Sequence, residues 1–441
     1  MTRKTILLGV MLMVMGVGAK GQETMQLTLE QAQQYAIEHN YTLQNASLDV
    51  KKAEAAKWEA LSSMLPQVNA QFDYSNMCGY EINLGGMSMP MNPSGSLGIT
   101  AAVAVTAQQI MGTLISNISL EMSDVTRRQN IQSTFANVKS VYVSILVMED
   151  VVSLLDSSLA NIESLERTTQ ESARVGAVEQ VEADKLSVQV ASMRNTINSN
   201  RRSLQALYNA LIFQLGAPVN TKLELTTKVD EILNVENAAG LTAHEFNIEN
   251  NFDYQMLQKS EQITKDQVTM AWLGFTPTLS VFYQYSYKTY FGKDAGFNMT
   301  PPNMVGASVS LPLFQTGTRI AKIKEAKISY QEMQNTKRQT EDALMVQYNQ
   351  NCYDLLSALE TYQTQRNNLD VCKRVFKSTT DKYNYGRASN LEVTNASNDI
   401  ITAQSNYIQA VMNVISAQIA LENLLGEEQY NDFVLPYENK E

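Results

Sequence analysis

Residues 277–287 read PTLSVFYQYSY, and the fold turns on how this run is understood. After Pro277, the positions Leu279, Val281, Tyr283, Tyr285 and Tyr287 oppose Thr278, Ser280, Phe282, Gln284 and Ser286. A period of two sustained over about ten residues marks a strand with one apolar face. Three more runs alternate in the same way. From Gln67 to Ser75, Val68, Ala70, Phe72 and Tyr74 oppose polar residues. Next, Leu97, Ile99, Ala101, Val103 and Val105 oppose Gly98, Thr100, Ala102, Ala104 and Thr106. Last, Val305, Ala307, Val309, Leu311 and Leu313 oppose Gly306, Ser308, Ser310 and Pro312. About ten residues is the length a tilted strand needs to cross a bilayer. A half-buried strand of a soluble sandwich would alternate identically, so the decision rests on what surrounds the strands.

Outward from each strand pair the period changes to that of helices. Val141, Ile145, Met148, Val152, Leu155, Leu159 and Ile162 alternate spacings of four and three, as do Tyr348, Cys352, Leu355, Leu359 and Tyr362. A 3.5-residue period specifies left-handed supercoiling against neighbouring helices. It predicts long helices from about Thr113 to Ala173 and from Gly317 to Thr380. A helix of about 60 residues runs about 90 Å, too long to cover a soluble sheet. Shorter helices predicted at Glu179–Leu215, Asn251–Phe275, Leu391–Leu425 and Asn40–Leu65 add up in pairs to the same length. With tyrosines grouped at the strand ends, where an aromatic girdle belongs, the strands read as transmembrane. Four strands alone would expose two edges to lipid, so several copies must pool them into one closed barrel.

The whole pattern is written twice. Asn40-Tyr41 recurs as Asn251-Phe252, Pro66 as Pro277, Gly176 as Gly386, Glu182 as Glu392, and Leu215-Gly216 as Leu425-Gly426, each about 210 residues on. An offset held this well predicts an internal duplication. The chain accordingly divides into a signal peptide (1–21), a first repeat (22–216), an inter-repeat equatorial segment (217–250), a second repeat (251–426) and a C-terminal tail (427–441).

The signal peptide follows from Arg3 and Lys4, the apolar run Ile6–Val17 and the small residues near Ala19 and Gly21. That run is too short to span a bilayer. No other segment reads as a membrane-spanning helix, and the mean hydropathy is −0.22. With 45 acidic against 34 basic residues the net charge is −11, which argues against a nucleic-acid partner. His39 and His244 lack a ligand companion at helical spacing, and Cys78, Cys352 and Cys372 are too scattered for a disulfide framework or zinc site. There is no phosphate loop, dinucleotide fingerprint or nucleophile elbow. The expectation is therefore no enzyme, no cofactor and no metal. Met77, Met87, Met89 and Met91 beside Cys78 would suit Cu(I) as soft ligands, but an external loop 77–96 carrying several methionines is the simpler reading.

The paired Pro66 and Pro277, the run Ser310 to Phe314 followed by Gly317, the turns at Gly176 and Tyr385-Gly386, and the terminal Leu-Gly pairs resemble the TolC-type outer-membrane efflux proteins. The resemblance covers about residues 25 to 430. It implies a mainly α, α+β protein: a homotrimer with a 12-stranded transmembrane β-barrel continued by a long α-helical coiled-coil barrel through the periplasm. It also implies an outer-membrane exit duct served by a periplasmic adaptor (membrane-fusion) protein and an inner-membrane transporter, and in contact with outer-membrane lipid. Small-molecule efflux, a type I protein-secretion outlet and a periplasmic coiled-coil adaptor or scaffold are the functions to weigh. By the same resemblance, Val175, Gly176, Val178, Gly386 and Leu391 form adaptor-docking tips, and Glu182, Glu392, Asn395, Tyr385 and Arg387 belong to a pore constriction. Asn395 stands where the family carries an aspartate, and Thr106 to Ile110 replaces the Leu-Pro-Leu-Phe run in the first copy.

Overall fold

The computed structural model describes residues 24–232, 235–243, 245–291 and 300–426; the expected signal peptide, the tail and His244 lie outside them. In chain order the elements are β1 (Thr24–Leu27), α1 (Leu29–His39), α2 (Tyr41–Ser62), β2 (Gln67–Ser75), β3 (Glu81–Leu84), β4 (Met87–Pro90), β5 (Ser94–Val105), α3 (Ala107–Arg174) and α4 (Gln180–Leu215). Then follow β6 (Lys222–Leu225), α5 (Val229–Ile232), α6 (Val235–Leu241), a 3₁₀ turn, α7 (Phe252–Leu273), β7 (Thr278–Tyr290), β8 (Asn303–Ser310), α8 (Thr318–Asn384) and α9 (Asn390–Leu425). The protein is mainly helical.

Several boundaries differ from the sequence reading, each for a local reason. The first long helix starts at Ala107 because Thr106 and Gln109 form a reciprocal cap: Gln109 N donates to Thr106 Oγ1 (3.1 Å) and Thr106 N to Gln109 Oε1 (2.9 Å). The fourth strand stops at Ser310, ahead of Leu311, Pro312 and Leu313; a proline has no N–H to give to a ladder. The loop 77–96 contains the hairpin β3–β4, in which Ile82 lies opposite Met89. Among the described helices α9 is long and apolar enough to span a bilayer, contrary to the sequence reading. Its Val393, Ile400, Val411, Val414 and Leu421 are buried against other helices, which accounts for its apolar character.

Two compact units emerge, and each draws on both halves of the chain. Among the described residues, the first comprises those within 24–47, 127–252 and 342–426. One of its cores joins α3, α4, α8 and α9 through Leu155, Ile162, Leu186, Met193, Leu369, Phe376, Val393 and Ile400. The buried seam of α3 runs Val151, Leu155, Ser158, Ile162, Leu165, Thr169, the expected four-and-three spacing. Two of those positions are polar, and both are satisfied: Ser158 Oγ donates to Leu154 O one turn back, and Thr169 Oγ1 meets Tyr383 Oη of α8 at 2.9 Å. A second core surrounds the parallel pair β1–β6. There the fully buried Tyr142 donates its hydroxyl to Leu27 O (2.9 Å) and accepts from Thr227 N (3.3 Å).

The recurring Asn-aromatic and Leu-Gly pairs meet in this unit. Asn40 Nδ2 donates to Gln214 O (2.6 Å) and Asn251 Nδ2 to Leu424 O (3.1 Å). Gly216 (φ +70°) and Gly426 (φ +61°) end α4 and α9 in the left-handed region, against the carbonyls of His39 and Asn250 respectively. The same joint is thus built once with residues of each half.

The second unit comprises Leu48–Thr126 and Asp253–Glu341. Its antiparallel sheet has the order β2-β5-β7-β8, so β2 and β8 are edges. The register aligns the apolar rows: Val68, Ala101, Tyr283 and Val305 lie in one row, and Phe72, Leu97 and Tyr287 in another. On the opposite face Gly306 accommodates the ring of Phe282, which a Cβ would strike at 2.5 Å. On the helices of this unit, Lys337 bridges to Glu261 (2.9 Å) and Lys259 to Glu121 (2.5 Å).

Candidate functional site

Two places stand out: the helix-turn-helix tips of the first unit and the sheet of the second.

At each tip a glycine with positive φ ends a long helix, Gly176 at +78° and Gly386 at +69°. Ala177 N reaches back to Ser172 O (2.9 Å), and Arg387 N to Lys382 O (2.8 Å). These are matching Schellman closures, in which the bond from beyond the glycine satisfies a carbonyl the helix leaves open. Nothing lies near either glycine, so backbone conformation alone requires it. The flanking apolar side chains face solvent: Val175, Val178, Tyr385 and Leu391 are all exposed. Val181, Val188 and Leu391 line a shallow groove of about 450 Å³ between α4 and α9. Asn390, almost wholly buried, lines it too; its Nδ2 donates to Glu182 O (2.8 Å), while its Oδ1 has no partner among the described residues.

That bond brings the first turns of α4 and α9 together, and with them the two acidic candidates. Each glutamate is the third residue of its helix, but they are held differently. Glu392 turns back to the cap: Ser389 N and Oγ donate to its Oε2 at 2.6 and 2.9 Å, and Glu392 N donates to Ser389 Oγ at 3.3 Å. Glu179, the corresponding cap residue of α4, makes no side-chain cap bond. Glu182 instead pairs with Lys185 (2.8 Å). Asn395, Tyr385 and Arg387 are exposed, and neither Tyr385 nor Arg387 is tied to another helix among the described residues. Lys185 and Asn390 escaped the sequence reading. The pattern Ser389-x-x-Glu392 is a legible capping signature that foretells where the Glu392 carboxylate goes.

Lys185, with Asn390, holds the Glu182 carboxyl below the usual carboxylate range, and the Ser389 backbone and hydroxyl do the same for Glu392. A lowered folded-state pKa contributes stability above the ordinary carboxylate pKa and loses it as pH falls through the lowered value. Acidification below about pH 4 is therefore expected to loosen the tips first. Hydrogen-exchange protection factors at Glu392 and Val393 should drop between pH 6 and pH 3 while that of Ile400 holds.

In the sheet, β7 alternates exposed Leu279, Val281, Tyr283, Tyr285 and Tyr287 with partly covered Ser280, Phe282, Gln284 and Ser286. The apolar face is the one left open, the reverse of a water-soluble sheet. Among the described residues no cluster of His, Cys, Asp and Glu could hold a metal ion.

The family model described as outer membrane efflux protein matches residues 32–217 and 247–427. The chain is similar to outer membrane protein TolC of Escherichia coli (strain K12), at 23% identity over 92% of this chain and 83% of that protein. It is also similar to outer membrane efflux protein BepC of Brucella suis biovar 1 (strain 1330), at 19% identity over 93% of this chain and 88% of the other. In fold it resembles the Campylobacter jejuni CmeC outer membrane channel, with a TM-score of 0.74 and 15% identity, covering 90% of this chain and 85% of that one.

Proposed function

The chain belongs to the outer membrane efflux protein family and is an outer-membrane channel protein, and from that premise we propose that it is the exit duct of a trans-envelope pump. Three copies would pool their four-stranded sheets into a 12-stranded barrel, with the long helices continuing the duct through the periplasm and the two halves arising by duplication. The observation that carries this reading is a sheet whose apolar face is uncovered and whose two edges are unpaired among the described residues, an arrangement suited to lipid only when closed on other copies. Small amphiphilic molecules are the proposed cargo, delivered by an inner-membrane transporter through a periplasmic adaptor. The direct test is reconstitution of the full mature protein in a planar bilayer: stepwise ion conductance is expected, and its absence from a detergent-stable oligomer would overturn the reading.

At the tips, exposed Val175, Val178, Tyr385 and Leu391, with the groove beside the unpartnered Asn390 Oδ1, would receive the adaptor. A photo-crosslinker placed at Val175 or Leu391 in cells should capture one periplasmic protein. Bulky substitutions at Gly176 and Gly386 should reduce efflux. If capture fails and efflux is unchanged, the tips do not dock an adaptor.

Glu182 and Glu392 would form acidic rings near the narrow end of the duct. Glutamine at the third helical position still caps, so Glu392→Gln removes the charge and keeps the turn. The double variant Glu182→Gln with Glu392→Gln should lower cation selectivity, most visibly at low salt, without loss of assembly. Unchanged reversal potentials in a salt gradient would place both side chains away from the pore.

A further inference from the structure

We infer that the shoulder where α7 and α8 meet the sheet binds the anionic head groups of phospholipids, in the leaflet on the helix side of the membrane. The inference rests on the lipid-facing reading of the sheet and goes beyond it by naming a lipid class and the side chains that select it. Four helix ends adjoin the sheet along the chain, and one of them differs from the rest in charge. The last ten residues of α2 (53–62) hold Glu54, Lys57 and Glu59, the first ten of α3 (107–116) hold no charge, and the last ten of α7 (264–273) hold Lys265 and Asp266. The first ten of α8 (318–327) hold Arg319, Lys322, Lys324 and Lys327 against Glu325, a net charge of +3 in a chain whose total is −11. Its counterpart in the first half is the uncharged start of α3, so duplication alone does not account for these cations. Nor are they committed to ion pairs: among the described residues Lys322, Lys324 and Lys327 have no acidic partner.

Arg319 ties the shoulder together. Its Nη1 donates to Pro312 O (3.2 Å) and its guanidinium lies 5.5 Å from the Phe275 ring centroid, which pins the turn from β8 into α8 beside the turn from α7 into β7. Further along α8, Lys327 Nζ lies 5.5 Å from the ring centroid of Trp272, whose own ring is tilted against Phe275 at 6.3 Å. Ile320, Lys324, Lys327 and Ile328 follow one another at helical spacings of three and four, so they share a face, and all four are exposed. Glu325 follows Lys324 and projects about 100° away from it. Leu311, Leu313 and Phe314 are exposed in the segment between β8 and α8, and Trp272 is more than half exposed. Open aromatic and aliphatic side chains with lysines among them suit neither bulk water nor a protein core. They suit the boundary of a bilayer, where a Trp ring sits at head-group level and a lysine lays its methylenes along the acyl chains while its ammonium reaches a phosphate. The excess of positive charge favours phosphatidylglycerol or cardiolipin over zwitterionic phospholipids.

The test takes the full mature protein as its purified oligomer and counts bound lipid by native mass spectrometry after exposure to phosphatidylglycerol or to phosphatidylcholine. Phosphatidylglycerol should be retained several-fold more, and less so at high salt. Lys324→Gln with Lys327→Gln should lower that retention about tenfold or more, at about fivefold per cation near the surface. Lys324→Arg with Lys327→Arg should preserve it. Lys51→Gln with Lys52→Gln removes the same charge from an exposed part of α2 further from the sheet and should leave it unchanged. Equal retention by the glutamine pair and the wild type, or an equal loss in the Lys51 and Lys52 control, would overturn the site. Full competition by glycerol phosphate would do so too, since it would reveal a site for free phosphate, as would a photo-crosslinker at Ile320 or Ile328 that captures a protein and no phospholipid in cells. Conductance of the same samples keeps the two readings apart: a conducting channel without lipid selectivity sinks this site and leaves the duct standing, whereas a selective oligomer that does not conduct upholds the site and sinks the duct.

Discussion

Val281→Arg is expected to abolish insertion into the outer membrane, while Ser280→Arg at the next residue leaves assembled protein recoverable. Val281 sits on the open apolar face between Val103 and Ala307, and Ser280 on the other face, where its hydroxyl meets that of Ser308 at 2.7 Å. An arginine facing lipid near mid-membrane costs about 2–4 kcal/mol, and one facing an aqueous lumen much less. In a closed assembly the penalty recurs in every copy. The measurement is the yield of heat-modifiable oligomer from outer-membrane fractions. Equal yields from the two variants would remove the lipid face from the account.

Gly216→Ala and Gly426→Ala should each prevent accumulation of folded protein. A Cβ at either position would lie 2.1 Å from a backbone carbonyl oxygen, that of His39 or Asn250. The neighbour is main chain held by the Asn40 and Asn251 bonds, so it cannot rotate aside. Left-handed φ adds about 1–2 kcal/mol for any L side chain, and the clash takes the total past the roughly 4 kcal/mol that marks an exceptional substitution. Gly176→Ala is the control, since its φ is also positive but nothing lies within 4 Å. It should cost only the conformational term and lower the melting temperature modestly. A Gly216→Ala protein as stable as Gly176→Ala would mean that the joint relaxes freely.

Strong periodicity was the legible part of this chain. Val281 and its neighbours announce a strand face, and Leu355, Leu359 and Tyr362 announce a helical seam, because burial on one side imposes a repeat that survives in the residue types. What escaped depends on single contacts instead of repeats. β1 and β6 are four residues each, nearly two hundred positions apart in sequence, and pair only because the chain between them returns. Ser158 and Thr169 occupy seam positions as polar residues, the one bonded a turn back to Leu154 O and the other across to Tyr383, so the apolar pattern drew the α3 stripe onto Met148, Val152 and Leu159 instead. The candidate Glu182 and Glu392 lie in the first turns of α4 and α9, with carboxylates committed to Lys185 and to Ser389, and only the latter is foreshadowed by a local motif.

The interleaving of the two units has a consequence for the order of events as the chain matures. The sheet cannot be completed from the first half alone: β2 and β5 pair with each other, but β5 finds its other neighbour β7 only after about 180 further residues have arrived, and most of the loop-closure entropy must be met before that contact returns anything. A nascent chain emerging on the far side of the inner membrane thus holds at most the β2–β5 pair, with the second edge of β5 open, for much of its transit. Slow, late commitment of the strands keeps the polypeptide competent to travel, at the risk of aggregation, so periplasmic holding chaperones should bind the first-half strands for longer than the second. A fragment ending at Gly216 should stay protease-sensitive across Gln67–Val105, even where its helices are formed.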